Sequence, residues 1–219
     1  MQIYLETERL YLRRFTSDDV DNLVDLDADP AVMRYLTGGK PTPRGQVEQV
    51  ILPRILGDYD RFPGFGCWAA VEKATGAFVG WFLLRPRDAG AHPGGAGSGE
   101  AGSGEASPGD AGSGEASSDG VCAVEAELGY RLRRSAWGKG YATKGARALI
   151  RKGFTELGVS RIFAQTMAVN RASRRVMEKC GLKLERVFFP DWDDPIDGAD
   201  EGEVEYALTR EEWERLGAL

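Results

Sequence analysis

Residues 137–143 read Trp-Gly-Lys-Gly-Tyr-Ala-Thr and are the most informative stretch of the chain. The residues before them, up to about Arg134, have the pattern of a strand, and a helical pattern begins near Tyr141. Gly138 and Gly140 can both take a positive φ, so consecutive backbone N–H groups can converge on an anion at the positive end of the helix. Two glycines can also simply make a tight turn between strand and helix. The stretch favours a phosphate-binding loop and leaves a plain turn open.

Two common phosphate-binding motifs do not fit this loop. A P-loop requires Gly-x-x-x-x-Gly-Lys followed by Ser or Thr, but Gly140 follows Lys139 and Arg133 takes the first glycine position. A dinucleotide-binding fingerprint requires Gly-x-Gly-x-x-Gly, and Thr143 stands in place of its third glycine. The loop therefore belongs to neither class.

Strand and helix patterns alternate on both sides of the loop. Period-two patterns and β-rich runs predict strands over residues 10–15, 67–72, 78–85, 123–133, 161–167, 184–189 and 203–208. Helical patterns follow Thr16 or Ser17, cover 46–58 with a kink or break at Pro53, cover 141–157 and 171–180, and follow Thr209. This order predicts an α/β domain with a mixed sheet.

Length and charge limit the classes of function. A chain of 219 residues fits one domain, and a net charge of -6 gives no basic surface for nucleic acid. The longest apolar run, residues 78–84, is too short to cross a bilayer, and residues 1–12 lack the apolar stretch of a signal peptide. We expect a cytoplasmic protein that engages neither nucleic acid nor membranes.

A low-complexity segment occupies residues 89–120. It consists almost entirely of Gly, Ala, Ser and Glu, and Ala-Gly-Ser-Gly-Glu-Ala occurs at 96–101, 101–106 and 111–116. A segment without large apolar side chains has little to bury that would offset the entropy cost of ordering. We interpret it as a flexible insertion within a single domain that spans 1–219.

Cysteine and histidine usage excludes several chemistries. Cys67, Cys122 and Cys180 are odd in number and widely spaced, which argues against a disulfide framework and against a zinc site. His92, the one histidine, stands alone in the Gly-rich segment, so Ser-His-Asp and Cys-His mechanisms are excluded. Cys180 ends a predicted helix and is interpreted as a packing residue. We expect no metal.

The loop resembles the acetyl-CoA loop of the GNAT family of N-acetyltransferases. That loop has the form Gln/Arg-x-x-Gly-x-Gly/Ala, and residues 137–142 match it at Gly140 and Ala142. Trp137 replaces the usual Gln or Arg. That replacement, with Gly129-Tyr130 upstream and Gly-Lys-Gly-Tyr-Ala-Thr at 138–143, resembles the branch named after RimJ and RimL.

Two further stretches resemble the same RimJ/RimL-like branch. Asn170-x-x-Ser173 and Glu-Lys-Cys-Gly-Leu at 178–182 are similar to its second signature, which usually ends in Gly-Phe. Glu-Thr-Glu-Arg-Leu at 6–10 is similar to its first strand. The resemblance covers nearly the whole chain outside the insertion, and in the right order.

This resemblance implies a GNAT-like α/β fold: a mixed, mostly antiparallel sheet with a splayed central strand pair and flanking helices. The pantetheine arm of the co-substrate acetyl-CoA would enter the gap between those strands and pair with backbone at the end of the fourth predicted strand. The cofactor-binding residues implied are Leu132, Arg134, Gly138, Lys139, Gly140, Tyr141, Ala142, Thr143 and Asn170.

Acetyl transfer to an amine needs a proton acceptor, because a lysine-like amine is almost fully protonated at neutral pH. Glu127 is the candidate general base, because members of the family often place a carboxylate on this strand. Glu125 lies on the same face of the strand, so it remains an alternative, as does a chain of waters.

The helix after residue 170 supplies the other candidates for catalysis. Asn170 either caps this helix or contacts the cofactor or a catalytic water, and Ser173 could hydrogen-bond near the thiol. Many members of the family have a tyrosine where Met177 stands, and methionine cannot donate a proton. The group that meets the leaving thiolate stays open among Ser173, a water, another tyrosine and unassisted departure.

The connection before the last strand bears on the acceptor. Residues 191–197 read Asp-Trp-Asp-Asp-Pro-Ile-Asp, with further carboxylates at Asp200, Glu201, Glu203 and Glu205. The resemblance places this connection beside the acceptor groove, where carboxylates and aromatic rings suit a cationic amine. A solvated acidic loop is the alternative.

These observations predict an enzyme that moves an acetyl group from acetyl-CoA directly to a primary amine in a ternary complex. The acceptor would be a protein N-terminus, another peptide amine or a small-molecule amine. One alternative is a non-catalytic acyl-CoA-binding sensor, which the methionine at 177 keeps open. Another is a nucleotide-binding protein that uses the same Gly-rich turn. Homodimerisation also stays open.

Overall fold

The computed structural model describes residues 2–87, 124–192 and 194–217. The expectations for the 89–120 segment, for His92 and for Cys122 lie outside these residues. None of the helices within these ranges is long and apolar enough to cross a membrane.

Eight strands form one sheet in the described part of the chain. They are β1 (Ile3–Glu6), β2 (Leu10–Arg14), β3 (Gly66–Glu72), β4 (Phe78–Pro86), β5 (Val124–Leu132), β6 (Val159–Met167), β7 (Lys183–Phe188) and β8 (Glu203–Thr209). The α-helices are α1 (Val20–Asp27), α2 (Pro30–Thr37), α3 (Arg44–Gln46), α4 (Leu52–Arg61), α5 (Tyr141–Glu156), α6 (Arg171–Lys179) and α7 (Arg210–Arg215). A π-helical turn, Val47–Ile51, joins α3 to α4.

The strand order is β1-β2-β3-β4-β5-β6-β8-β7, and the only parallel neighbours in it are β5 and β6. These two strands pair from Val124↔Val159 to Glu127↔Phe163 and no further. Because β5 continues to Leu132 and β6 to Met167, the two strands diverge beyond that point. The mixed, mostly antiparallel sheet with a splayed central pair is confirmed.

By contrast, β4 and β5 stay paired along their whole common length, from Gly80↔Leu132 to Pro86↔Ala126. The chain therefore leaves β4 and enters β5 at neighbouring positions on one end of the sheet. The phosphate-loop candidate follows β5 at the opposite end.

Helices cover both faces of the sheet. On one face α5 lies so close that a Cβ added to Gly145 would fall 2.3 Å from the ring of Phe82, so only glycine fits there. On the other face Asp27 of α1 pairs with Arg131 of β5 at 2.6 Å. The core between these layers holds fully buried side chains, the largest being Trp68, Phe82, Leu10, Leu12, Leu26, Met33, Leu84, Leu149, Ile150, Ile162, Met167 and Leu208.

Two elements were missing from the sequence prediction. The sequence does carry a signal for α2, since Asp29 accepts a hydrogen bond from Ala31 N at 2.9 Å and Pro30 occupies the first turn. β1 has no comparable local signal. It is only four residues long and depends on distant contacts such as the stacking of Tyr4 on Trp68, with ring centroids 4.0 Å apart.

Candidate active site

The gap between β5 and β6 opens toward helices on both faces of the sheet. Successive strand residues point to opposite faces. Glu127 and Arg131 therefore lie on the α1 face, where Arg131 meets Asp27. Tyr130 lies on the opposite face, where it meets Ser173 of α6. A group held in this gap can be reached from both sides.

The loop after β5 has the conformation that the sequence predicts. Gly138 has φ 72° and Gly140 has φ 77°. A Cβ on Gly138 would meet nothing within 4 Å, and one on Gly140 would meet only Arg9 Nη2, at 3.6 Å. These glycines are therefore required by the backbone rather than by packing, and the loop surface is open. The first-turn N–H groups of α5 have no intrahelical partner, so they can serve an anion.

Arg9, which the sequence analysis did not select as a site residue, holds this loop. Its guanidinium donates a hydrogen bond to the backbone oxygen of Lys139 and lies 4.5 Å from the ring centroid of Tyr141. The Tyr141 hydroxyl in turn donates to Glu72. Arg9 is 130 residues away from Lys139, so the sequence alone offers no local signal for this contact.

The backbone that should receive pantetheine lies just before the loop. Arg133 N donates to Val79 O at 2.9 Å, which keeps this segment attached to β4. Trp137 Nε1 donates to Leu132 O at 2.8 Å. A carbonyl oxygen has two lone pairs, so Leu132 O can still accept a second hydrogen bond.

Glu127 lies where β5 and β6 begin to diverge, since it is the last β5 residue paired with β6. Its Oε2 accepts hydrogen bonds from Arg85 Nη2 at 2.7 Å and from Arg85 Nε at 3.2 Å, and its Oε1 takes part in neither. Glu125 lies two residues earlier on β5, where β5 is still paired with β6. Its Oε2 accepts hydrogen bonds from Arg87 at 2.8 Å and from Arg161 at 2.9 Å. Of the two carboxylates, Glu127 is the one at the opening of the gap.

Asn170 and Ser173 meet at the start of α6. Asn170 Oδ1 accepts from Ser173 N at 3.2 Å, so Asn170 caps the helix, and its Nδ2 donates to Thr166 Oγ1 at 3.0 Å. The Tyr130 hydroxyl lies 3.1 Å from both Oγ and the backbone oxygen of Ser173. Tyr130 was not selected as a site residue in the sequence analysis, although another tyrosine was left open there as the group that meets the thiolate. Burial raises the pKa of Tyr130 above its usual range.

Cys180 is buried, and its Sγ lies 3.7 Å from Thr143 O. Burial raises the pKa of this thiol to about 11, so it stays protonated near neutral pH. Its interpretation as a packing residue is confirmed.

β8 carries two buried glutamates that the sequence analysis had grouped with the acidic connection. Glu203 is 1 % exposed and Glu205 is 2 % exposed. Glu205 accepts hydrogen bonds from Arg161 at 3.0 Å, Gln165 at 2.6 Å and Arg186 at 2.8 Å. Neither oxygen of Glu203 has a hydrogen-bond partner among the described residues. Both belong to the interior of the sheet, so neither is part of a solvated loop.

The connection between β7 and β8 is tied to α2 and the residues after it. Asp194 pairs with Lys40 at 2.8 Å and Asp197 with Arg34 at 3.5 Å, and all four side chains are largely exposed. Some of the negative charge of this connection is therefore already matched by cations of the protein itself.

The splayed parallel pair, followed by an open glycine loop at a helix N-terminus, is the arrangement expected of an acyl-CoA-dependent transferase. A family model described as an acetyltransferase (GNAT) domain matches residues 9–183, and the chain belongs to the GNAT family. The protein is an acetyl-CoA-dependent N-acetyltransferase.

Known relatives agree with this assignment. The chain is 34% identical over 212 residues to the FsC-acetyl coenzyme A-N(2)-transacetylase of Aspergillus fumigatus, covering 97% of this chain and 78% of that protein. It is 28% identical over 193 residues to the uncharacterized protein YkkB of Bacillus subtilis, covering 88% and 91%.

Solved structures share the fold. The aminoglycoside acetyltransferase AAC(6')-Ib in complex with coenzyme A superposes with a TM-score of 0.61 at 21% identity, over 94% of this chain and 98% of that one. RimL, a ribosomal L7/L12 alpha-N-protein acetyltransferase also in complex with coenzyme A, gives 0.63 at 17% identity, over 95% and 98%.

Proposed function

We propose that this enzyme transfers the acetyl group of acetyl-CoA directly to a primary amine in a ternary complex, as a member of the RimJ/RimL-like branch. The observation that carries the proposal is the gap between β5 and β6. Glu127 lies where the two strands begin to diverge, and the open loop follows the end of β5. The amine would belong to a small molecule or to a protein N-terminus. The Aspergillus relative, whose name specifies an N(2) position, supports a nitrogen acceptor.

The residues present fit acetyl-CoA. Gly138, Gly140 and the first-turn amides of Tyr141, Ala142 and Thr143 would hold the pyrophosphate, with Lys139 adding positive charge. Backbone of Leu132 and Arg134 would pair with the pantetheine arm, and Asn170 would border it. When bound, acetyl-CoA supplies an activated thioester carbonyl.

Glu127 would accept the proton of the acceptor ammonium, through the oxygen that Arg85 leaves unbonded. The neutral amine nitrogen would then form a bond to the thioester carbonyl carbon, and the carbon–sulfur bond would break with its electron pair on sulfur. The nitrogen would lose its second proton to the departing thiolate, which leaves an amide and a free thiol. A thiol of pKa about 8.5 is a good leaving group. Because burial raises the pKa of Tyr130, its hydroxyl keeps its proton. We therefore expect the Ser173 and Tyr130 hydroxyls to stabilise the thiolate by donating hydrogen bonds to it.

Asn170 would act mainly as a positioning residue in this scheme. By capping α6 it fixes the first turn of the helix, and therefore the Ser173 hydroxyl that meets Tyr130. Cys180 would not become acetylated in this scheme, since it is buried and protonated.

Cofactor binding can be tested by thermal unfolding. Acetyl-CoA at about 100 times its Kd should stabilise the native state by about 2.7 kcal/mol. Gly140→Val should abolish that shift, because a β-branched residue is strained at positive φ. Gly76→Val is the matched control, since Gly76 has φ 71° and open space around it but lies in the β3–β4 hairpin. A shift that survives Gly140→Val would place the cofactor elsewhere.

The role of Glu127 as the general base can be tested by measuring thiol release with a diverse set of amines. Glu127→Gln should lower kcat by about 10²- to 10⁴-fold, while the thermal shift with acetyl-CoA stays nearly intact. The defect should shrink as the pH rises, because more of the amine is then neutral. Full activity in this variant, together with loss of activity in Glu125→Gln, would move the role to Glu125. No thiol release by the unaltered protein with any amine would overturn the proposed reaction.

A further inference from the structure

Glu203 is a buried carboxylate for which the fold provides no partner. It is 1 % exposed, and neither of its oxygens accepts a hydrogen bond from any described residue. An unpaired charge is costly to bury, and buried polar atoms of native proteins nearly always have partners. Because none of the described residues supplies this partner, a group from outside the chain can supply it.

The sheet places Glu203 on the same face as Glu127. Glu203 is opposite Met167 on β6, and Glu127 is opposite Phe163 on the same strand. Phe163 and Met167 are four residues apart, an even number, so their side chains share one face. Four residues span about 13 Å along a strand, and β8 lies two strands, about 10 Å, from β5, so the two positions are about 16 Å apart. Glu203 thus lies on the acceptor side of the gap, but a long way from Glu127.

The groups that face Glu203 do not neutralise it. Its cross-strand neighbours, Met167 on β6 and Phe188 on β7, are apolar. The charged groups further along this face, Glu205, Arg161 and Arg186, are bonded to one another. Burial is what raises the pKa of Glu203, to about 7, so a cation that binds beside it would draw it into the ionised form.

We propose that Glu203 binds a second, positively charged nitrogen of the acceptor, so the preferred acceptors are long diamines and polyamines. This rests on the proposed function, in which Glu127 serves the reacting nitrogen. The separation of the two carboxylates is too great for one nitrogen and suits two nitrogens joined by an extended alkyl chain.

We expect the acceptor to reach Glu203 past the connection between β7 and β8. That connection is held to α2 and Lys40 by two ion pairs, Lys40–Asp194 and Arg34–Asp197, whose side chains are largely exposed. Exposed pairs of this kind contribute little to stability, so opening them costs little. Exposed carboxylates of the same connection, Asp191 and Asp200, would attract a polycation before it binds.

The test compares two acceptors of equal length: 1,8-diaminooctane and the analogue in which a hydroxyl replaces one amino group. The unaltered enzyme should favour the diamine by about 30-fold or more in kcat/KM, mainly through KM. Glu203→Gln, which keeps the shape of the side chain, should bring the ratio of the two values close to one. Glu201→Gln, which removes an exposed charge two residues away, should keep the preference.

A binding measurement separates this proposal from the proposed reaction. With the protein saturated with coenzyme A, the diamine should raise the Tm of the unaltered protein and of Glu201→Gln, but not of Glu203→Gln. Equal loss of kcat with both acceptors in Glu203→Gln, or no diamine preference in the unaltered enzyme, would overturn the second-nitrogen role. Diamine-dependent stabilisation without thiol release would overturn the reaction and retain the binding site.

Discussion

Glu205 and Glu203 lie two residues apart on one face of β8 and are almost equally buried, yet their surroundings are opposite. Burial by itself raises a carboxyl pKa. At Glu205 the hydrogen bonds from Arg186, Gln165 and Arg161 outweigh burial and lower the pKa to about 2. At Glu203 burial acts unopposed and raises the pKa to about 7. The partners of a buried carboxylate, rather than its depth, decide its charge at neutral pH.

The difference originates in the neighbouring strands. Glu205 is opposite Gln165 of β6 and Arg186 of β7, both of which donate hydrogen bonds to it. Glu203 lies two residues earlier on β8 and is opposite Met167 of β6 and Phe188 of β7. One site is internally complete and has a structural role, whereas the other is left for a ligand.

The largest expected effect comes from removing the Glu205 carboxylate, which has all its partners within the protein. Glu205→Leu should lower the free energy of unfolding by about 3–5 kcal/mol, because it leaves Arg161 and its neighbours without their shared buried partner. Denaturant unfolding at neutral pH measures this. Glu185→Leu is the control, since Glu185 also pairs with Arg161 but is exposed, and it should cost less than about 1 kcal/mol. Equal losses in the two variants would contradict the importance of burial.

The next effect is a gain at the incomplete site. The unfolded chain releases the Glu203 proton near its ordinary pKa of 4.5, whereas the folded protein keeps it up to about 7. Stability due to this group therefore falls as pH rises from 4.5 to 7. Glu203→Gln should be more stable than the unaltered protein by about 3 kcal/mol at pH 8 and nearly equal to it at pH 4.

Urea unfolding of both proteins at several pH values tests this prediction. Glu205 acts in the opposite sense, because its lowered pKa adds stability as pH rises from about 2 to 4.5. Glu201→Gln, which changes an exposed side chain, should follow the pH profile of the unaltered protein. If Glu203→Gln raises the free energy of unfolding equally at pH 4 and pH 8, the carboxylate of Glu203 is either exposed or paired in the folded protein.

The smallest effect is expected from removing one exposed member of the complete site. Arg186 is 54% exposed, so Arg186→Ala should cost less than about 1 kcal/mol. The pKa of Glu205 should rise, because this variant removes one of the hydrogen bonds that lower it. Titration of Glu205 by carbonyl-detected NMR measures the rise. A loss as large as that of Glu205→Leu would mean that Arg186 alone holds the cluster.

The sequence revealed the parts of the site that depend on local pattern. Gly138 and Gly140 could be assigned because a strand, a positive-φ turn and a helix start follow one another within a few residues. Asn170 was recognisable as a helix cap for the same reason. These features need no knowledge of how strands are paired.

The remaining parts depend on strand register and stayed hidden. Arg85 and Glu127 are 42 residues apart, and Tyr130 and Ser173 are 43 apart, so only the folded sheet brings them together. Glu203 looked like one more acid of a charged connection, because the pairing that buries it beside Met167 and Phe188 has no signature in the sequence.

The continuous pairing of β4 with β5 makes their junction an attachment point for protein engineering. The sheet itself holds Pro86 beside Ala126, so we expect the pairing of β4 with β5 to tolerate changes in the segment that connects them. Six residue steps along β5, about 20 Å, separate Ala126 from Leu132 and the glycine loop that follows. A fluorescent or affinity domain grafted at this junction would lie at the end of the sheet far from the glycine loop. The protein could then be immobilised without blocking the approach of acetyl-CoA.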